Sequence, residues 1–283
     1  MHQRHGKASF YRPLQMLWPI PRFIIRIRND RARSPRYALS SLAGMLGRSH
    51  LQPLPPMTQS ASIPIASADR DQTPGEEIAN AISHGLGTLL AVAALPILVT
   101  RAAAHGGVVD VVAAAVFAVS MILLYVVSTL YHALPNHLWG GRAKAVLLRL
   151  DHAAIYVFIA GSYTPFTLGV LNTGPGVTLL IAVWASAALG VAIKLLNRLT
   201  HRLVSTGLYL AMGWVVVFAA GPLVARLPAE GLTLLVAGGL SYTLGAFVFL
   251  LDNTVRYSHF VWHLFVLGGS VCHFFAALWY AYG

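Results

Sequence analysis

The 283-residue chain is 57% hydrophobic and 10% charged, carries a formal net charge of +11 and contains one cysteine, Cys272. Soluble domains carry roughly 25% charged residues, so an ordinary water-soluble globule is excluded and the bilayer becomes the solvent to reason in. A single cysteine also excludes an intrachain disulfide framework and a Cys-rich zinc module.

In chain order, residues 1–75 read as a basic, Pro/Ser-rich, disordered extension. It holds Arg22, Arg26, Arg28, Arg31, Arg33 and Arg36, with Pro13, Pro19, Pro21 and Pro35 among and before them. The apolar window near 14–25 is short and broken by Pro19, Pro21 and Arg22, so it does not read as a signal peptide. Met57 is an available internal start. The basic arm suits anionic lipid, and no specific nucleic-acid partner is predicted from it.

Residues 76–283 read as a membrane domain. Seven apolar segments follow one another at about 82–100, 108–131, 151–171, 177–196, 203–221, 231–251 and 259–281, each close to the roughly 20 residues a helix needs to cross the hydrocarbon. Long unbroken hydrophobic runs such as 108–131 exclude barrel strands, which would alternate polar and apolar residues. Breakers fall at the expected joints: Gly106 and Gly107, Pro135, Gly140 and Gly141, Gly174 and Gly176, Pro222 and Pro228. Pro165 lies inside the third segment and predicts a local bend. The fold class is therefore all-α, a polytopic membrane protein with seven transmembrane helices.

Basic residues set the expected orientation. Arg142, Lys144 and Arg149, then Lys194, Arg198 and Arg202, then Arg256 fall at alternate joints, while the opposite joints hold only Arg101 and Arg226. The richer side faces the cytoplasm by the positive-inside tendency. The expected topology is N-in and C-out.

On that topology, the end of the second segment and the starts of the third and seventh share one layer. Ser128 and His132 are four residues apart on one helical face, as are His259 and His263, and Asp151 opens the third segment. Ionisable groups at membrane depth are costly unless paired, metal-bound or facing a wet cavity. One reading is zinc held by His132, His259 and His263 with water in the fourth position, Asp151 as general base or orienting carboxylate, and Ser128 beside the reacting group. The other makes the histidines interfacial side chains bonded to backbone, with Asp151 a helix cap. His84, with Glu76, Glu77, Asn80 and Ser83, sits at a similar depth. It reads either as part of the site's surroundings or as a helix-entry feature. His273, ten residues past His263, lies about 15 Å further along the helix and outside any shared ligand set. Tyr131, Tyr156, Tyr163, Tyr209 and Tyr242 are candidates to line a cavity.

Several stretches carry a resemblance. EEIANAISHGLG at Glu76–Gly87, STLYH at Ser128–His132, DHAAIYVFIAGSYTP at Asp151–Pro165, GGLSYTLGAFVF at Gly238–Phe249 and SHFVWHLFV at Ser258–Val266 occur in this order. Together they resemble the hemolysin III family, within the wider superfamily of progestin and adiponectin receptors. The resemblance implies a seven-helix protein with a cytoplasm-facing zinc site at His132, His259 and His263, the family serine at Ser128 and its aspartate at Asp151. It also implies an integral protein of the bacterial inner membrane and hydrolysis of a lipid amide or related amphiphile, with membrane lipids as surroundings and a lipid-like molecule as substrate. The alternative is a non-enzymatic, metal-stabilised membrane protein with a pore-forming or signalling role. The extension before residue 76 departs from the short bacterial pattern and offers no evident receptor domain. A proton-coupled transport reading would need Asp110, Asp151 and His273 to join in a relay, and their positions scatter over different helices and depths.

Overall fold

The structure is a computed structural model and describes residues 70–135, 141–172, 174–199 and 201–282. The expectations for residues 1–69 and for Gly140 lie outside the described residues. Within them the chain is all-helical: α1 (Pro74–His105), α2 (Val108–Ala133), α3 (Arg142–Pro165), α4 (Gly174–Leu195), α5 (Arg202–Gly213), α6 (Ala220–Arg226), α7 (Ala229–Leu250) and α8 (Ser258–Tyr280). A π-helical turn, Phe166–Val170, extends α3, and a 3-10 segment, Val215–Ala219, joins α5 to α6. Among the described residues seven helical stretches are long and apolar enough to cross a membrane, with α5 to α6 forming the fifth. The chain is an integral membrane protein.

The first helix shows the inverted pattern that a lipid solvent selects. On α1, Ile78, Ile82, Leu86 and Leu89 form an outward stripe, each more than half exposed. The opposite face buries Glu76, Asn80, Ser83, His84, Gly87, Ala91 and Leu98. Lipid tails accept leucine as readily as a protein core does, so interhelical faces are built from small and polar residues. Gly87 shows the use of small size: a Cβ there would come within 2.6 Å of the Tyr125 ring on α2. Ala113, Ala114 and Ala118 keep the buried face of α2 narrow in the same way.

The packing order is α7–α8–α1–α2–α3–α4, and α5 closes the ring by resting on α3 and α7, while its 3-10 continuation touches α4. The first helix is fixed at its start by a capping box. The Thr73 hydroxyl accepts from Glu76 N, and the Glu76 carboxylate accepts from Thr73 N at 2.9 Å. Ahead of it, Arg70 reaches Glu76 Oε1 at 2.7 Å and the Asp252 carbonyl at 3.3 Å, which ties this segment to the α7–α8 joint.

Three local features differ from the hydropathy reading. First, α3 begins at Arg142 rather than near residue 151, so Arg142, Lys144 and Arg149 belong to a helix and not to a joint. Charges end the apolar window without ending the helix, because Lys and Arg are good helix formers. Second, Pro222 lies in the first turn of α6, inside the fifth span rather than at its end. A first-turn proline loses no helical hydrogen bond. The interruption comes earlier, at Val215–Ala219. There the Tyr163 hydroxyl donates to the Gly213 carbonyl and accepts from Val216 N at 3.1 Å, satisfying backbone groups that the break releases. Third, at Pro165 the departure from α geometry takes the form of the π turn that follows it.

The π turn also makes a tight contact. A Cβ on Gly169 would overlap the backbone carbonyl of Ala281, next to Asp110 on α2. Backbone cannot swing aside as a side chain can. Gly169→Ala is therefore expected to destabilise the fold by about 1–3 kcal/mol, read as a lowered midpoint of thermal unfolding in detergent. An unchanged midpoint would show that the C-terminal segment yields freely.

Candidate metal centre and cavity

The histidine layer is assembled from both ends of the domain. His132 sits in the last turn of α2, and His259 and His263 occupy one face in the first two turns of α8. One ligand atom from each of the three lies within 4.8 Å of the others. Their ring centroids are 5.0 Å apart for His132–His259, 5.1 Å for His132–His263 and 4.7 Å for His259–His263.

The second nitrogen of each ring is committed to an oxygen outside the triad. His132 Nδ1 meets Glu77 Oε2 at 2.6 Å, His259 Nδ1 meets Asp252 Oδ2 at 3.2 Å, and His263 Nδ1 meets Ser83 Oγ at 3.1 Å. These partners fix the tautomers. Ionised carboxylates only accept, so His132 and His259 donate from Nδ1. Ser83 gives its own proton to the Asn80 carbonyl at 2.9 Å and so accepts from His263. All three Nε2 atoms are left as lone-pair donors, and His132 Nε2 is buried without a hydrogen-bond partner. Orientation of a ligating imidazole through its other nitrogen is the usual support of a metal site.

This donor set fits zinc. Nitrogens bound to one zinc at about 2.1 Å lie no more than about 4.2 Å apart, so the triad needs side-chain movements of roughly half an ångström to close on an ion. The surrounding charges are themselves anchored. Lys144 Nζ donates to Glu77 Oε1 at 2.6 Å, and Arg202 approaches Asp252 Oδ2 at 3.4 Å. Burial pushes the Asp252 carboxyl up, but the His259 hydrogen bond and the Arg202 charge outweigh it, holding the group below the usual carboxylate range.

The other predicted site residues face a common space. Ser128, Asp151, His259 and His263 line one cavity of about 740 Å³. Ser128 is almost fully buried and Asp151 is 8% exposed. Among the described residues Asp151 bonds to none of the three histidines. The role of orienting carboxylate falls to Glu77 and Asp252, which leaves Asp151 directed at the cavity. His84 also lines it, stacked on His263 with ring centroids 3.4 Å apart, and neither of its buried nitrogens has a partner. Tyr131, Tyr163, Tyr209 and Tyr242 reach the lining. Tyr156 instead packs beneath Gly190, whose Cβ would come within 2.5 Å of its ring. Of the relay candidates, Asp110 accepts from Gly107 N at 2.8 Å at the start of α2.

Sequence reading missed Asp252. It sits just past the end of α7, seven residues before His259, and the available signal was an acid in a joint otherwise expected to be basic. Depth alone groups Glu77 and Ser83 with His84, whereas the structure divides them between His132 and His263.

From the histidine layer the cavity runs between α3, α5, α7 and α8 to Leu171, Leu223 and Leu232, near the opposite ends of their spans. The cavity thus has a buried polar end and a long, mostly apolar body within a membrane-spanning helical domain. The sequence profile described as "Haemolysin-III related" matches residues 73–274, and the chain belongs to this haemolysin III family. It is 45% identical to a Hemolysin-3 homolog of Bacillus subtilis (strain 168) over 205 residues, covering 72% of this chain and 94% of the relative. Identity to Hemolysin-3 of Bacillus cereus is 44% over 205 residues, covering 72% and 91%. The human Monocyte to macrophage differentiation factor is 30% identical over 172 residues, covering 59% and 69%. This last likeness fits the wider progestin and adiponectin receptor superfamily.

Proposed function

We propose that the chain is a zinc-dependent hydrolase of the bacterial inner membrane, acting on a lipid amide or related amphiphile, with its N-terminal side and histidine layer toward the cytoplasm. The observation that carries this reading is the triad of tautomer-fixed histidines, two of which, His259 and His263, line the polar end of a deep, mostly apolar cavity. Arg142, Lys144 and Arg149, with Lys194, Arg198 and Arg202, supply the cytoplasmic bias.

His132, His259 and His263 would hold the ion through Nε2. When bound, zinc supplies positive charge that polarises a carbonyl and lowers the pKa of water toward 7. Asp151 accepts the proton of the attacking water and returns it to the departing amine, so the C–N bond breaks as the C–O bond forms and a carboxylic acid and an amine leave. Ser128 donates to the oxygen that gains negative charge. His84 offers a nitrogen that substrate can pair with. Glu77 and Asp252 hold two imidazoles in place while Lys144 and Arg202 hold the carboxylates, so few groups need to reorganise during the reaction. The apolar body of the cavity takes the acyl chain and excludes water from it.

Purified protein in nanodiscs, given a long-chain N-acyl amide, should release free fatty acid. Asp151→Asn should lower kcat by about 10²- to 10⁴-fold, and Ser128→Ala by about a hundredfold or more, with bound zinc unchanged in both. Turnover undiminished in Asp151→Asn would remove the assigned base. Absence of release by the intact protein across acyl amides, with solute leakage from liposomes in its place, would favour the pore-forming alternative.

A further inference from the structure

The cavity contains a second polar station, deep in the membrane and remote from the histidine layer. His273 lies on α8 ten residues after His263, about 15 Å further along the helix, and lines the same cavity. Its ring is accommodated by Gly238 on α7, where a Cβ would overlap Cδ2. Its Nε2 faces the Leu235 carbonyl at 3.4 Å. A carbonyl only accepts, so Nε2 carries the proton and Nδ1 is an acceptor. That Nδ1 is sealed from solvent and has no hydrogen-bond partner.

Tyr242 packs edge-on against this ring, with centroids 5.3 Å apart. Its proton is also accounted for. Ser270 Oγ donates to the Val266 carbonyl at 2.9 Å and receives Tyr125 OH at 2.8 Å, so at 3.2 Å Tyr242 must donate to Ser270. The station therefore holds two acceptors, His273 Nδ1 and the Tyr242 oxygen, and no spare donor, on side chains that line the cavity. An unpaired buried acceptor is costly in an apolar setting, so an occupant bearing an O–H or N–H is favoured and one bearing only a carbonyl is not.

We propose that His273 and Tyr242 form a chain-recognition subsite selecting amphiphiles that carry a hydroxyl far along the acyl chain, about 15 Å from the polar group held in the histidine layer. This rests on the reading of the cavity as an acyl-chain site, and it adds a preference that the histidine layer alone cannot produce.

The test is competitive binding to the intact protein in nanodiscs, with a radiolabelled saturated N-acyl amide as tracer. Competitors of one chain length carry no substituent, a hydroxyl near the head group, a hydroxyl toward mid-chain or beyond, or a ketone at that same carbon. The distal hydroxyl is expected to bind about five- to tenfold more tightly than the unsubstituted chain, the effect of one net hydrogen bond, and the ketone should gain nothing. His273→Leu should abolish the gain, so that the distal-hydroxyl and unsubstituted chains compete equally, and His273→Gln, which keeps an acceptor, should retain part of it. Equal binding of all competitors to the wild type would overturn the subsite while leaving the acyl-chain cavity standing. So would a gain shared by the ketone, or one that persists in His273→Leu. Failure of every chain to displace tracer, or of tracer to bind, would overturn both readings. Should His273→Leu not fold, the hydroxyl-against-ketone comparison on the wild type decides the matter alone.

Discussion

Protein purified from zinc-supplemented cells is expected to carry one zinc per chain, and the variant with His132, His259 and His263 all replaced by alanine is expected to carry none. The magnitude follows from the donor set. No other group of three His, Cys, Asp or Glu side chains among the described residues brings its ligand atoms together in this way, so no substitute site is at hand among them. Elemental analysis after removal of loosely held metal gives the readout. Undiminished zinc in the triple variant would place the ion elsewhere and remove the basis of the hydrolase proposal. Single replacements should each weaken binding strongly, because two imidazoles leave a zinc ion half-liganded.

Glu77→Ala is expected to weaken zinc binding by about 10- to 100-fold, the usual cost of losing a group that orients a ligating histidine. Glu77 receives the proton-bearing nitrogen of His132 and the Lys144 ammonium, both at 2.6 Å. Removing it frees the His132 ring to rotate and leaves Lys144 without its carboxylate beside the ion. Glu77→Gln should be milder, since its amide oxygen can still accept from His132. Competition titration against a chelator of known affinity measures both variants. Equal affinity in wild type and Glu77→Ala would mean that packing alone holds His132. Asp252→Ala tests the same principle at His259, where the 3.2 Å contact predicts a smaller loss.

The spans and the triad were legible in the sequence for a shared reason: both are written in spacing. Twenty apolar residues state a crossing, and His259 and His263, four apart, state a common helical face. The depth of His132 follows from counting spans. Rotation about each helix axis is not encoded that way. It decides that Glu77 turns to His132 on the next helix while Glu76, one residue earlier, turns to Arg70 and Tyr257. Hydropathy also misplaces helix ends, because it marks where lipid stops rather than where backbone hydrogen bonding stops. On that account hydropathy puts Arg142 and Pro222 in joints, and the structure puts them in helices. The break at Val215–Ala219 has no sequence marker of its own, since Trp214–Ala219 is as apolar as its flanks. It is stabilised from outside by Tyr163, a partner about 50 residues away in sequence.

The division of the triad between α2 and α8, with its supporting groups drawn from α1 and from the joint before α8, has a consequence for biogenesis. Chains emerge and insert from the N-terminus, so a nascent protein with six spans in the bilayer owns one histidine of the set and its glutamate. The site comes into being only when the last span docks against the first two. On the zinc proposal, metal capture would be a completion event. A chain terminated before Ser258 would carry most of the membrane domain and only one of the three histidines.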